Sequence, residues 1–207
     1  MIRAVAVVSL VVLLVLVLYV PSAHPPERFL EQLRSEHDAA MSFWGTEPAF
    51  TMLDRAMRMQ SGAAEASPIP ALRDMPRTPG VNGAVASEMA SVNQRLFNNA
   101  YFRSVDALLM LASYRLSVLL QWLPWLLPLV PVAGTDGALV RVIRSKEFLQ
   151  HDPELFAVSC SLLIITLCAM VIAFVLPVSM HPMALAGFPV AVAVLLGLAI
   201  AHFHRRA

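Results

Sequence analysis

The chain has 207 residues, of which 58% are hydrophobic and 14% charged, with a formal net charge of +1 and a mean hydropathy of +0.68. A soluble globule of this size could not hide so much apolar surface, so a lipid bilayer has to cover the remainder. The near-neutral balance lacks the basic excess that marks nucleic-acid binders, which argues against direct DNA or RNA contact.

Apolar stretches at 4–20, 107–132, 157–177 and 183–201 each approach the roughly 20 residues that cross a hydrocarbon core of about 30 Å. The expected fold is an all-α membrane protein: four transmembrane helices with a helical periplasmic insertion between the first and second. Three parts follow: a signal anchor at 1–21, a periplasmic helical segment at 22–105, and a membrane domain at 106–207 with a basic cytoplasmic loop at 134–155.

The first span outruns the usual 7–15-residue core of a signal peptide, and Pro21 disfavours cleavage after Ala23. It reads as an uncleaved anchor; cleavage would leave three spans. Arg141, Arg144 and Lys146 follow the second span, and Arg205 and Arg206 follow the fourth. Cytoplasmic flanks gather Lys and Arg, so these residues set both termini inside, Arg3 included. In a bacterium that places the chain in the inner membrane with 22–105 in the periplasm.

Within the external segment, Pro25 and Pro26 suit a helix start, and Glu27 and Glu31 complement its positive end. Phe29, Leu30, Leu33, Met41 and Trp44 supply apolar positions before Gly45 stops the run. Thr46 can cap a second helix through Phe50, Leu53 and Met57 until Ser61-Gly62, so the pair resembles a helical hairpin. Pro68, Pro70, Pro76, Pro79, Gly80 and Gly83 mark a linker over 63–83. A third helical run starts near Ala84 and continues through Tyr101 and Arg103 into the second span, because no breaker intervenes before Pro124.

That span contains Arg115 and then Pro124, Pro128 and Pro131, so its helix must bend or break. An Arg at the bilayer centre costs about 2.5–3.5 kcal/mol on insertion scales, so such residues snorkel, pair or face a cavity. Three readings remain. Arg115 reaches the periplasmic boundary while Trp122 and Trp125 mark the other side; it meets a carboxylate, such as Asp106 of a neighbouring chain, or another subunit; or it lines an ion path. Beyond the span, Asp136-Gly137 offers a turn at the membrane exit, after which Arg141, Arg144 and Lys146 share a short basic face suited to anionic headgroups or an acidic partner.

Cys160 and Cys168 fall in the third span, about 12 Å apart along one helix and too far to bridge. Met180-His181-Pro182 reads as a tight external turn, and Ala184, Ala186, Gly187, Ala191, Ala193 and Gly197 permit close helix packing. The usual nucleotide, metal and nucleophile signatures are missing. His202 and His204 beside Arg205 and Arg206 fit an interfacial ending better than a metal clasp. A non-enzymatic protein without catalytic, cofactor or metal residues is expected.

The stretch from Tyr101-Phe102-Arg103-Ser104 through Arg115 to Asp136-Gly137-Ala138-Leu139-Val140-Arg141-Val142-Ile143-Arg144 resembles a domain-of-unknown-function family of integrating conjugative element membrane proteins. Ala138 stands between the Gly and Leu of the family's turn. The resemblance implies a membrane component of a conjugation apparatus, close to the coupling ATPase. Candidate interaction or topology residues are Arg103, Arg115, Asp136, Gly137, Arg141, Arg144 and Lys146. The expected role is an inner-membrane accessory or assembly subunit of a conjugative, type IV secretion-like system. Its partners would be the bilayer and other conjugation membrane proteins, with homo-oligomerisation left open. The competing reading is a small transporter or channel using Arg115 and the Pro-broken helix.

Overall fold

The computed structural model describes residues 2–66, 100–146 and 153–203. Most of the expected linker, the start of the third helical run at 84–99, and His151, His204, Arg205 and Arg206 lie outside the described residues. Among the described residues the chain forms α1 (Ile2–Ala23), α2 (Pro26–Trp44), α3 (Thr46–Ala66), α4 (Ala100–Leu126), α5 (Leu129–Lys146), α6 (Pro153–Val175) and α7 (Pro182–Ala201), and no strand. Four of these are long and apolar enough to cross a membrane: α1, α4 over Tyr101–Leu126, α6 and α7.

Local chemistry explains most boundaries. Pro26 opens α2 after Pro25 in extended geometry, a position where the missing donor is one of the helix's orphans anyway. Gly45, at φ +88°, ends α2 and donates its N–H to the Met41 carbonyl at 3.0 Å. Only glycine takes that conformation without strain, so the chain reverses there into α3. Pro182 opens α7 while the His181 ring accepts the Met183 N–H at 3.3 Å.

Several expectations need correction. Ser61-Gly62 does not break α3, which continues to Ala66. One helical glycine costs about 1 kcal/mol relative to alanine, and α3 is pinned to α4 across this region by Gln60 donating to Asp106 at 2.8 Å. The stretch 107–132 is not one helix, and the break that its prolines imply is found: α4 ends at Leu126 and α5 begins at Leu129. Pro124 sits in the last turn of α4 and Pro131 in the first turn of α5, so Leu127 and Pro128 form the break. Asp136-Gly137 is not a turn, and the expected loop is helical through Lys146. Met180 and His181 close a longer irregular segment, 176–181, and Pro182 already belongs to α7.

α6 and α7 form an antiparallel hairpin, with α1 along α6 and α5 along α7. Val20 of α1 packs in one cluster with Val175 of α6, so α1 and α6 end together and that end also holds the start of α7. The α2–α3 hairpin and α4 sit at this same end, hereafter the junction end. There α4 is central: Ala107, Leu108 and Leu111 pack with Val20, Phe29 and Val175, while Tyr114, Val118 and Leu119 pack with Met52, Ala56 and Leu185. At the far end α5 runs parallel to α7. Gly137 lies against the Gly197 backbone, and a Cβ on Gly197 would sit 2.9 Å from the Ala133 carbonyl oxygen. That backbone contact keeps the Asp136-Gly137 dipeptide helical against its local preference.

Candidate functional site

The described residues bring one set of charged and polar groups together at depth, around Arg115. Its side chain is fully buried, and so is 95% of Glu36 on α2. The Arg115 Nε donates to both Glu36 oxygens, at 3.1 and 3.0 Å, and Nη2 donates to Glu36 Oε1. Nη1 donates to the Ala173 carbonyl and, at 2.7 Å, to that of Leu176. Nη2 also donates to Val178 at 2.7 Å. All five guanidinium N–H groups are therefore used. Three of the acceptors are carbonyls at and just beyond the end of α6, where the last turn leaves its acceptors open and the macrodipole is negative. A cation is the matching cap, and Glu36 neutralises it.

Glu36 is equally engaged. Its Oε1 also accepts the Met180 N–H at 3.3 Å and the Gln32 amide at 3.4 Å. One ion pair thus ties α2, α4, the end of α6 and the 176–181 segment together. Around it, the buried Tyr114 hydroxyl lies 3.3 Å from His37 Nδ1, and Arg55 donates to the Ser117 carbonyl at 3.3 Å. Trp122 donates to the Pro182 carbonyl at 3.2 Å. Rings of Phe43, Trp44, Trp122 and His181 close the outer side in edge contacts of 4.8–5.5 Å between Phe43, His181, Trp44 and Trp122. Removing one member of such a pair strands a buried charge, at a cost of about 3–5 kcal/mol.

Arg115 therefore does not snorkel, and its carboxylate is not Asp106, which is exposed and bonded to Gln60. Reading the sequence missed Glu36. A signal was available: Phe29, Leu33 and Ala40 form one helical stripe, and Glu36 falls on it at the i+7 position from Phe29. A lone carboxylate on an apolar stripe asks for a buried cation.

The other candidate residues lie apart. Arg103 is exposed on α4 beside a shallow depression lined by Phe102, Val105, Asp106 and Leu109. Asp136 is exposed on α5, and Lys146 is exposed at its end. Arg141 and Arg144 turn inward to the end of α7. The Arg141 guanidinium stands 5.1 Å from the Phe203 ring centroid, and Arg144 Nη1 is 2.8 Å from His202 Nε2. His202 is buried and its Nδ1 is 3.0 Å from the Leu198 carbonyl. A carbonyl only accepts, so Nδ1 carries the proton and the Nε2 lone pair receives the Arg144 donor. Among the described residues, no group of three or more His, Cys, Asp or Glu could hold a metal ion.

A family model described as "DtrJ-like: IncC plasmid conjugative DNA transfer protein DtrJ-like" matches residues 50–205. The matched stretch holds Arg115, most of α3 and all of α4 to α7, and leaves out α1 and α2 with Glu36. No curated protein and no solved structure matches the chain.

Proposed function

The chain belongs to the DtrJ-like family of conjugative DNA transfer proteins, and from that membership we propose that it is a non-enzymatic inner-membrane accessory or assembly subunit of a conjugative transfer apparatus. The family match is the observation that carries this reading. It names a plasmid transfer system, whereas the resemblance over 101–144 pointed to an integrating element; both share conjugal DNA transfer. In this proposal both termini are cytoplasmic, and α2 and α3 stand in the periplasm against α4. The partners are other membrane proteins of a type IV secretion-like channel, the coupling ATPase among them.

The geometry around Arg115 favours assembly over transport. A transport residue needs a donor left over for the solute, and every Arg115 N–H is taken by Glu36 or by a carbonyl. Arg115 works here as a joint that fixes the α2–α3 hairpin on the membrane helices. Large apolar side chains stay exposed along α1, α4 and α5, which gives surface for lipid and for neighbouring subunits.

Affinity purification of the tagged chain from donor-cell membranes, followed by mass spectrometry, tests the proposal, with mating frequency measured alongside. Co-purification of coupling or channel subunits, with transfer lost on deletion of the gene, is the expected result. Recovery of the chain alone from a strain whose deletion mutant transfers DNA normally would sink the proposal.

A further inference from the structure

Both ends of α4 lie at one end of the helix bundle. Near its start, Ser104 donates to the His24 carbonyl at 3.1 Å, and Ala107 and Leu108 pack with Val20, all at the end of α1. Midway, Arg115 bonds the carbonyls at the end of α6. Near its close, Leu119 packs with Leu185, and Trp122 bonds the Pro182 carbonyl at the start of α7. Those three helix ends share one level. A helix that crossed a bilayer beside α1, α6 and α7 would begin at one end of them and finish at the other. α4 instead passes over all three in turn.

The far end is reached by α5. Ala133 and Gly137 flank Gly197, Arg144 meets His202, and Arg141 meets Phe203, so α5 descends alongside α7 to that helix's last residues. From Trp122 at the Pro182 level to Arg141 beside Phe203 the chain advances about 19 residues, or about 28 Å at helical rise, close to the roughly 30 Å of a hydrocarbon core. Asp136 is no obstacle. It neighbours the Gly197 level, four residues before the end of α7, about 6 Å by helical rise, within reach of headgroup water for an exposed carboxylate.

We propose that α4 lies along the membrane boundary on the α2–α3 side as far as Trp122, and that its last turn together with α5 makes the second crossing. The partner of α4's free face is the bilayer itself. That face carries Leu109, Leu116 and Leu123 at seven-residue intervals, 38–52% exposed, and continues the exposed apolar surface of α1. Tyr19 and Trp125, 65% and 74% exposed, stand at the same end, where aromatic side chains gather at membrane–water interfaces. An interfacial helix of this kind is buried on one side and greased on another without spanning. The crossings remain four, through α1, the stretch of α4 and α5 after Trp122, α6 and α7, and Arg141, Arg144 and Lys146 stay on the side opposite α2 and α3.

Cysteine labelling with a membrane-impermeant maleimide tests this in the full chain, independently of any role in conjugation. In a Cys160→Ala, Cys168→Ala background, single Arg103→Cys and Gln121→Cys variants probe the two ends of the boundary stretch of α4. Glu47→Cys and Lys146→Cys serve as references for the two faces; Arg103, Glu47 and Lys146 are exposed and Gln121 is half-buried. Labelling of both Arg103→Cys and Gln121→Cys from the Glu47 face of right-side-out vesicles, and of neither in inverted vesicles, is the expected result. Labelling of Gln121→Cys from the Lys146 face, or from neither face, would overturn the proposal.

Discussion

The two ends of this bundle are held by opposite means. At the junction end, two charges 79 residues apart are buried against each other and against helix-end carbonyls. At the far end, side chains are removed: Gly137 and Gly197 let α5 and α7 touch backbone to backbone. A joint of the first kind fails when a group is taken away, because its partner is left charged and dry. One of the second kind fails when a group is added, because the backbone cannot give way. The difference teaches where this chain tolerates change, and it can be broken from either side.

The largest effect is expected from Glu36→Ala or Arg115→Ala, each leaving one buried ion. A loss of about 3–5 kcal/mol should appear as a sharply lowered Tm of the detergent-solubilised protein and reduced accumulation in membranes. Next comes added volume at the far end. Gly137→Val forces its side chain into the Gly197 backbone and should cost about 1–3 kcal/mol, whereas Gly62→Ala, with open space around it, should leave Tm unchanged or raise it. Equal effects from the two glycine changes would remove the close-packing explanation.

A smaller change is expected at His202. His202→Phe keeps the ring and deletes both the Nδ1 donor and the Nε2 acceptor. About 1 kcal/mol should be lost for the exchanged hydrogen bonds, visible as faster proteolysis at the far end before any change in overall Tm. The smallest effect belongs to the exposed Asp54–Arg58 pair on α3. Asp54 raises the Arg58 pKa by hydrogen bonding and charge, yet a guanidinium is charged at any physiological pH either way. Asp54→Ala should leave Tm unaltered between pH 5 and 8, and a marked drop would show that α3 is held from its outer face as well.

Much of the architecture is legible in residue order. Hydropathy marks α1, α6 and α7 within a few residues, because each is apolar on nearly all sides. Pro25-Pro26, Gly45 and Pro182 set helix limits through backbone chemistry that neighbours do not alter. Where packing competes with local preference, the sequence misleads. Asp136-Gly137 reads as a turn but is helical because Gly197 lies against it, and Ser61-Gly62 is carried through by the anchoring of α3. The break within 107–132 is legible from Pro124, Pro128 and Pro131, but its place at Leu127-Pro128 is not, because any of the three prolines can end a helix. Glu36 was hidden for a related reason. Its stripe shows burial, but nothing in the sequence says which of the chain's cations meets it.

The central claim, that Arg115 and Glu36 form one buried joint between the hairpin and the membrane helices, is tested most directly by a double-mutant cycle. Tm and unfolding free energy would be measured in lipid nanodiscs for the native chain, Arg115→Met, Glu36→Leu and the double variant. The account predicts two strongly destabilised single variants and a double variant less damaged than their sum by about 1–3 kcal/mol, because the second change removes the charge that the first left stranded. Additive losses, with no coupling between the two positions, would contradict it.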